Sequence, residues 1–368
     1  MKQLLLLGAG HAHVHLLSML AKHDIAGAEV TLVTPFPNQV YFGMVPGFVA
    51  GHYDLAQCVI PLTELLQGSR VKYLARSVVG LDAAKRRCRL DDGSELSYDL
   101  LSVNTGPVHD RQRMDALMPG SRSNALFVRP IEGFVELWPK VFEMGQTRQL
   151  RLSVIGGGAA GIELACAIAH RLPQSSVTLI SGPAPVASTY STTVQQRVRK
   201  ALHRHRITLI QANVTAVEAG DLTLSNGAHL RCDMPLLATG AQSPHWLQDS
   251  GLNLDDAGFI QVDACQRSTS HPSVFAVGDV STRADQAGGR GGVYAVHAGP
   301  ALFDNLRAVI AGIQAKPYQP PSKTLQLLSC GRRYGIGSWG NLSFEGRWVW
   351  YLKDRIDRAF LARYKPVR

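Results

Sequence analysis

The hydrophobic residues of this chain gather in short unbroken runs that end at glycines. The apolar residues 4–7 run into the turn Gly8-Ala9-Gly10, a helix-like stretch follows from 14 to about 22, and a second strand is predicted at 29–33. Parallel strands buried on both faces have such unbroken runs. The chain is therefore predicted to open with a strand–helix–strand unit, and its first run is a buried strand rather than a signal peptide.

The same layout recurs in the middle of the chain. Residues 152–155 lead into the glycine-rich segment 156–161, a helix to about 172 and a strand at 177–180. Hairpins are predicted at 89–96 and 222–230 from their Asp-Gly and Asn-Gly turns. The duplication predicts an α/β fold of two Rossmann-like dinucleotide-binding domains with a C-terminal α+β tail. The first domain would comprise 1–110 and 241–316, the second 111–240, and the tail 317–368.

Glycine spacing at the two strand–helix junctions indicates phosphate binding. In a dinucleotide fold the first glycine permits a tight turn, the second lets the pyrophosphate approach, and the third lets helix and strand pack closely. Gly156, Gly158 and Gly161 meet all three requirements. Gly8 and Gly10 meet the first two, but His13 replaces the third glycine. We expect this change either to move the helix away from the strand or to turn the histidine away.

Both units lack the acidic residue that would hold a ribose at the end of the second strand. Thr34 and Ser181 stand at these points, where a hydroxyl can still hydrogen-bond the ribose, more weakly than a carboxylate. No arginine stands beside Ser181 to receive a 2′-phosphate. The pattern therefore does not separate NADH from NADPH.

Composition narrows the classes of partner. The formal net charge of +10 favours anionic ligands or an anionic membrane face, but no nucleic-acid-binding motif is present. No run approaches the roughly 20 apolar residues that span a bilayer, so a cytoplasmic protein is expected. The six cysteines are scattered, and alternating His11, His13 and His15 point in different directions, so no metal site is expected.

These features together resemble the FAD-dependent pyridine nucleotide-disulfide oxidoreductase superfamily over residues 1–310, with Val-Phe-Ala-Val-Gly-Asp at 274–279 as a further motif. The stretches 8–14, 41–47 and 292–296 look like the branch associated with selenide, water dikinase, which is similar in turn to the type II NADH dehydrogenases. The resemblance implies FAD as cofactor and NADH or NADPH as co-substrate.

The resemblance also implies roles for single residues. Asp279 would hold the ribityl and pyrophosphate region of FAD, and the helix from Gly292 would aim its N-terminus at the flavin. Glu163 would face the nicotinamide, although a glutamate that merely favours the helix N-terminus is the simpler interpretation. The residues implied to bind the two nucleotides are Gly8, Gly10, His11, Ala12, Thr34, Tyr41, Thr105, Gly106, Gly156, Gly158, Ala160, Gly161, Gly240, Gly278, Asp279, Val293 and Tyr294.

The electron acceptor is the open question. Disulfide reductases of the superfamily carry two cysteines four residues apart beside the flavin, and segment 41–47 has none. A quinone is favoured, with Tyr294 lining its pocket and His297 donating a proton. One alternative is a sulfide- or selenide-oxidising quinone reductase that uses Cys166 and Cys330, although a buried helical cysteine is usually a packing residue. The other is a flavoprotein whose redox state controls binding to a partner.

An amphipathic helix is predicted in the tail. One i, i+4 stripe consists of Trp348, Leu352, Ile356, Phe360 and Tyr364, and cations that include Lys353 lie between its members. Such a helix either lies on the inner face of the cell membrane, with access to a lipid quinone, or docks on the FAD domain. The sequence favours neither, and it leaves the oligomeric state open.

Overall fold

The computed structural model describes residues 1–286 and 291–365. The first part of the chain contains β1 (Lys2–Leu7), α1 (His11–Leu20), β2 (Ala28–Val33), β3 (Asn38–Val40), α2 (Val45–Val49), β4 (Val59–Pro61), α3 (Leu62–Leu65), β5 (Lys72–Leu74), β6 (Val78–Asp82), β7 (Arg87–Leu90), β8 (Glu95–Ser97) and β9 (Leu100–Val103). The middle part contains α4 (Arg111–Leu117), α5 (Ser121–Asn124), β10 (Leu126–Phe127), α6 (Ile131–Thr147), β11 (Arg151–Ile155), α7 (Ala159–Arg171), β12 (Ser176–Ile180), α8 (Thr192–Arg204), β13 (Thr208–Ile210), β14 (Val214–Glu218), β15 (Asp221–Leu224), β16 (His229–Arg231) and β17 (Met234–Leu237). The last part contains β18 (Ile260–Val262), β19 (Val274–Ala276), β20 (Ser281–Arg283), α9 (Gly292–Ile310), β21 (Leu325–Ser329), β22 (Gly335–Trp339), β23 (Leu342–Gly346) and α10 (Arg347–Ala362).

Two five-stranded parallel sheets organise the molecule. Their strand orders are β19-β9-β1-β2-β5 and β10-β17-β11-β12-β13, and the pairs within each are parallel. In each sheet the glycine turn follows the central strand, at the point where the strand order reverses. Ligands of open α/β sheets bind in the crevice at this point. The predicted α/β fold with two Rossmann-like units is confirmed.

Both predicted hairpins are present. β7 pairs with β8, and β15 with β16, each in a three-stranded antiparallel sheet. Gly93 and Gly227 take the left-handed conformation that these turns need, with φ of +83° and +81°. The first helix begins three residues earlier than predicted, at His11, because it starts directly at the glycine turn.

The tail connects the two Rossmann-like units. Its three-stranded sheet, β21-β22-β23, contributes Leu328, Cys330 and Ile336 to the core around α7. Its helix α10 contributes Trp350, Phe360 and others to the core around α1 and α9. Residues 366–368 of the predicted tail, and 287–290 of the predicted second FAD segment, lie outside the described residues.

The predicted stripe on α10 does not form one face. Phe360 and Tyr364 are buried, whereas Trp348 and Ile356 are exposed. Each i, i+4 step advances about 40° beyond a full turn, so the stripe winds about 160° around the helix over its length. Lys353, which the pattern placed among the outward cations, is buried. Among the described residues, no helix is both long and apolar enough to cross a bilayer.

Candidate active site

The first cradle consists of the turn 8–10 and the loop 104–106 that it packs against. Gly8 has a φ of +81°, and a Cβ there would lie 2.5 Å from the Thr105 Cα. A Cβ on Gly10 would lie 2.5 Å from the Asn104 Oδ1. Larger residues would push the two loops apart. Gly10 gives α1 no side-chain cap, so the first-turn N–H groups remain available to an anionic ligand.

His13 takes the third glycine's place and points beneath the turn, contrary to the expectation that it would turn away. Its Nδ1 lies 2.6 Å from the Gly8 carbonyl oxygen and its Nε2 lies 2.8 Å from the Ser102 Oγ. Because a carbonyl only accepts, Nδ1 carries the proton and the Ser102 hydroxyl donates to Nε2. Burial lowers the pKa of His13 to about 4. The ring is therefore neutral at physiological pH and holds the turn to the sheet.

Asn104 connects the first cradle to the end of β19. Its Oδ1 accepts from the His13 N–H at 3.1 Å, and its Nδ2 donates to the Val277 carbonyl oxygen at 2.7 Å. Asn104 is absent from the residues predicted above. Its position at the end of an apolar strand, directly before Thr105 and Gly106, was a usable signal, because ligands meet α/β sheets at such strand ends.

The second cradle consists of the turn 156–161 and the loop 238–240. A Cβ on Gly156, whose φ is +137°, would lie 2.2 Å from the Ala238 carbonyl oxygen, and one on Gly161 would lie 1.9 Å from the Gly156 oxygen. Gly158 has open space where a Cβ would project, and it gives α7 no side-chain cap. By contrast, α4 and α8 carry side-chain caps. Both cradle helices thus leave N–H groups for a ligand.

The remaining predicted nucleotide contacts surround the two cradles. Ala160 lies in the first turn of α7, and Gly106 and Gly240 have open space beside them. Thr34 is buried at the end of β2. The Ser181 hydroxyl donates to the Ala184 carbonyl oxygen at 3.2 Å, so it can still accept a hydrogen bond from a ribose.

Asp279 lies beside the start of α9. Its Oδ1 accepts from the Gly291 N–H at 2.6 Å, and it borders a cleft of about 610 Å³ together with Gly278 and Tyr294. Val293 is exposed in the first turn of the helix. The structure does not bring His297 into this cleft, because its side chain is exposed and lies outside the residues that line the cleft.

Several buried polar atoms near the two cradles have no hydrogen-bond partner within the described part of the chain. They include the His11 Nε2, the His109 Nδ1 and the Thr239 Oγ1. Unpaired buried polar atoms are rare and mark positions that a ligand or water satisfies. Burial lowers the pKa of both His11 and His109, and the charge of Arg129 adds to this effect. Arg129 is thus a cation near the cradles that the sequence did not reveal. The residues thus fit an anionic dinucleotide held at each cradle.

Glu163 ties the second cradle to the tail. It lies buried in α7, and its Oε1 accepts from the Ser329 N–H of β21 at 2.7 Å. Burial raises the pKa of Glu163 to about 7, although Lys353 and the Ser329 N–H act to lower it. A carboxyl with this pKa exchanges its proton near neutral pH.

Lys353 and Asp357 continue this polar network to the first cradle. The Lys353 Nζ donates to the Asp357 Oδ2 at 2.7 Å and to the Gly43 carbonyl oxygen at 2.5 Å. The Tyr41 hydroxyl donates to the Asp357 Oδ1 at 3.0 Å, and its ring meets that of His11 edge-on at 5.3 Å. We call Glu163, Lys353, Asp357 and Tyr41 the polar network. Glu163 and Tyr41 were predicted as site residues above, whereas Asp357 was not, although it forms an i, i+4 charge pair with Lys353 on α10.

Comparison with known proteins agrees with these two cradles. A family model described as pyridine nucleotide-disulphide oxidoreductase matches residues 2–299. The chain belongs to this family. It is therefore an oxidoreductase of the pyridine nucleotide-disulphide type, and the resemblance drawn from the sequence is confirmed.

Individual relatives of this pyridine nucleotide-disulphide oxidoreductase share little sequence identity with it. An NADH dehydrogenase-like protein of Mycobacterium tuberculosis is 27% identical over 242 residues, which is 62% of this chain and 60% of the relative. The chain thus matches less than two thirds of that relative's length. The sulfide:quinone oxidoreductase from the hyperthermophilic bacterium Aquifex aeolicus has a TM-score of 0.80 at 16% identity, over 99% of this chain and 92% of that one. NDH2 from Plasmodium falciparum in complex with NADH has a TM-score of 0.80 at 14% identity, over 100% of both chains. These two likenesses concern the fold.

Three of the six buried cysteines of this family member bear on the electron acceptor. Cys58, near the first cradle, is buried, and burial raises the pKa of its thiol to about 12. Cys166 of α7 and Cys330 after β21 are also buried. The neighbouring Cys166 thiol and burial raise the pKa of Cys330 well above its usual range, and Glu163 adds to the effect. The fold therefore joins two thiols that lie far apart in sequence, one helical turn from Glu163.

Proposed function

We propose that the chain is an FAD-dependent NAD(P)H dehydrogenase that passes electrons to a quinone. FAD would bind at the first cradle and NADH or NADPH at the second. The observation that carries this proposal is the polar network, because it extends from the helix of the second cradle to Tyr41 beside the first. When bound, FAD accepts hydride from the nicotinamide and hands the electrons on.

The chain's own residues would bind and orient the two nucleotides. The turn Gly8–Gly10, with the N–H groups of His11 and Ala12, would hold the FAD pyrophosphate, while Asp279 and Tyr294 would border the flavin-bearing part. At the second cradle, Gly156, Gly158, Ala160, Gly161 and Gly240 would hold the pyrophosphate of NAD(P)H.

Glu163 and Lys353 would supply protons for quinone reduction, which consumes two protons with two electrons. Glu163 is suited to this because its pKa lies near 7. A polar cleft of about 200 Å³, bordered by Ser329, Lys353, Asp354 and Asp357, opens toward solvent. It would let water replace the protons that leave the network.

The quinone would arrive from a membrane at the tail. Four exposed apolar side chains and Phe344 form a surface that we call the aromatic strip: Trp339, Leu342, Phe344, Trp348 and Tyr351. Trp339 pairs with Leu342 across β22–β23, and the Phe344 and Trp348 rings stack at 5.1 Å. The guanidinium groups of Arg347 and Arg333 lower the pKa of Tyr351. Aromatic side chains flanked by arginines suit an anionic bilayer surface.

The test of the hydride step is an anaerobic titration of the FAD-loaded protein with NADH and then NADPH, followed at the flavin absorbance band. Bleaching by either nucleotide supports the proposal, and added quinones should then restore the band. FAD that stays oxidised with both nucleotides would refute the dehydrogenase function. The exchange Glu163→Gln should slow the restoration by quinone more than the bleaching.

The membrane step has its own test in co-sedimentation with phosphatidylcholine vesicles that contain phosphatidylglycerol. The double exchange Leu342→Ser with Trp348→Ser should abolish binding. Leu117→Ser removes an exposed leucine elsewhere and should leave binding intact. Equal binding by both variants would contradict a membrane role for the aromatic strip.

The contact between the Cys166 and Cys330 thiols favours a second candidate function, the oxidation of sulfide or selenide with a quinone as acceptor. In a first turnover the two thiols would be oxidised by the flavin to a disulfide, which sulfide would then open to a persulfide on one cysteine and a thiolate on the other. Joining of these two into a trisulfide would pass two electrons and one proton to the flavin, and a second sulfide would remove the added sulfur as hydrogen disulfide and restore the disulfide; selenide would react in the same way. Sulfide, rather than NADH, should then bleach the flavin. Either Cys166→Ser or Cys330→Ser should abolish bleaching by sulfide, whereas under the dehydrogenase function both variants should be bleached by NADH as the wild type is.

A further inference from the structure

A group of cationic and imidazole side chains gathers where four segments of the chain meet. We call it the basic junction, and its members are His52, His170, Arg171, His205, Arg332 and Arg333. His52 follows α2, His170 and Arg171 end α7, His205 follows α8, and the two arginines lie between β21 and β22. All three parts of the molecule thus contribute to it, at the opposite end of α7 from the second cradle.

Direct contacts hold these side chains together. The rings of His52 and His170 lie 5.3 Å apart. A Cβ on Gly331 would lie 2.9 Å from the His205 Cε1 and 3.1 Å from the His170 Cβ, so the loop before the arginines sits between these two histidines. The Arg171 guanidinium covers Gly51, the neighbour of His52.

Trp350 links the remaining members. Its ring lies 5.2 Å from that of His52, and the Arg333 Cζ lies 5.5 Å from the same ring. Arg332 is close enough to act on both His170 and His205. The members therefore form one continuous surface rather than separate charges.

The loop that presents the arginines is conformationally strained. Gly331, Arg332 and Arg333 all take positive φ values, of 61°, 33° and 52°. Only glycine adopts this region without cost, so two successive arginines there are unfavourable. Such strain tends to be kept at binding sites, where a fixed side-chain direction is needed.

The basic junction has almost no opposing charge. Among the described residues, no aspartate or glutamate forms an ion pair with Arg171, Arg332 or Arg333. The carboxylate that faces His52 is Asp354, and Tyr53 and Arg358 already donate to it, at 2.6 and 2.8 Å. Within the same described residues, the buried His52 Nε2 has no hydrogen-bond partner.

We propose that the basic junction binds a phosphate- or sulfate-type dianion, held by the guanidinium groups of Arg332 and Arg333 and by the imidazole of His52. Arginine forks match the oxygens of such anions. This site is separate from both cradles and does not depend on the dehydrogenase function. The anion is either free in solution or the headgroup of a phosphomonoester.

Binding should take up protons. Burial lowers the pKa of His52, and together with the charges of His170, Arg333 and Arg171, against that of Asp354, it brings this pKa to about 4. Burial also lowers the pKa of His170, helped by His205, Arg332 and Arg171, and that of His205, helped by Arg332 and Arg204 against its bond to the Cys330 carbonyl. A bound dianion favours the charged imidazolium and raises these pKa values, so the affinity should increase as the pH falls.

The test is isothermal titration of the FAD-loaded protein with sodium sulfate at constant ionic strength. Sulfate is the probe because its charge does not change between pH 5.5 and 8. We expect one site, with a Kd at pH 5.5 that is at least about fivefold below that at pH 8. The double exchange Arg332→Gln with Arg333→Gln should weaken binding by at least about tenfold.

Two further variants separate the site from general surface charge. Arg199→Gln with Lys200→Gln removes two exposed cations from α8 and should leave sulfate binding unchanged. His52→Gln keeps the arginines, so it should retain binding at pH 8 and lose most of the pH dependence. The proposal is overturned if sulfate gives no saturable heat, or if the α8 variant weakens binding as much as the loop variant.

The source of the anion is distinguished by a second titration with short-chain phosphatidic acid below its micelle concentration. Affinity equal to that for inorganic phosphate supports a free anion. Affinity more than about tenfold higher, lost in the Arg332→Gln, Arg333→Gln variant, supports a phosphomonoester headgroup. Failure of both ligands to bind overturns the proposal.

Discussion

Glu163 should make the stability of this protein fall as the pH rises, and the exchange Glu163→Gln should remove that fall. Burial raises the pKa of this carboxyl to about 7 from its ordinary value of 4.5. A raised pKa means that the folded state prefers the protonated form. The stabilisation is therefore fully present below pH 4.5 and is lost as the pH rises through 7.

The size of the effect follows from the same two values. Between pH 5.5 and 7 the unfolded carboxyl is ionised while the folded one remains largely protonated. The free energy of unfolding should then drop by about 1.4 kcal/mol per pH unit, which amounts to about 2 kcal/mol over this range. It should level off above about pH 7.5. Glutamine keeps an oxygen for the Ser329 N–H, so Glu163→Gln should show no such drop.

The assay is urea unfolding of the FAD-saturated wild type and variant at pH 5.5, 6.5, 7.5 and 8.5. Glu136→Gln, which changes an exposed glutamate on α6, is the matched control and should follow the wild type. Lys353→Met should extend the drop to higher pH, because it removes the cation that lowers the pKa of Glu163. If the free energy of unfolding of the wild type and of Glu163→Gln fell equally with pH, the reasoning would be refuted.

Three further predictions concern the scaffold around the site. His13→Ala should lower the free energy of unfolding by about 2–4 kcal/mol and weaken FAD retention on gel filtration, because two buried hydrogen bonds are lost. Gly161→Ala should raise the NADH concentration needed to bleach the flavin by at least about tenfold, since its Cβ would overlap the Gly156 oxygen. Gly133→Ala is the control: it has open space in α6 and should raise the free energy of unfolding by about 0.5–1 kcal/mol. Lys353→Met should lower the free energy of urea unfolding by about 3–5 kcal/mol, because it leaves a buried carboxylate unpaired. The double exchange Lys353→Met with Asp357→Asn should lower it much less, and equal losses in the two variants would contradict this.

The glycine turns could be predicted because their requirements are local. A positive φ at Gly8 and the near-contact of Gly161 with Gly156 follow from a strand that turns directly into a helix. The parallel sheets followed from unbroken apolar runs for the same reason. The role of His13 could not be predicted, since Ser102, whose hydroxyl donates to the His13 ring beneath the turn, lies on a strand 89 residues away.

The environment of the tail helix was predicted only in part. Its existence followed from periodicity, but its buried face is set by partners about 300 residues earlier in the chain, such as Tyr41 and Gly43. Those partners are polar, so the buried face includes Lys353 and Asp357, which hydrophobic periodicity assigns to solvent. The proximity of Cys166 and Cys330 could not be predicted from the sequence either, because it depends on how the tail packs against α7.

The polar network crosses the boundary of the part of the chain that the family shares. The family match ends at residue 299, whereas Ser329, Lys353 and Asp357 lie beyond it. Glu163 and Tyr41 lie within the family match, and the tail supplies the charged groups that face the Glu163 carboxyl and the Tyr41 hydroxyl. If the proposed function holds, exchange of the tail should change the groups that supply protons to the acceptor and leave both glycine cradles unchanged.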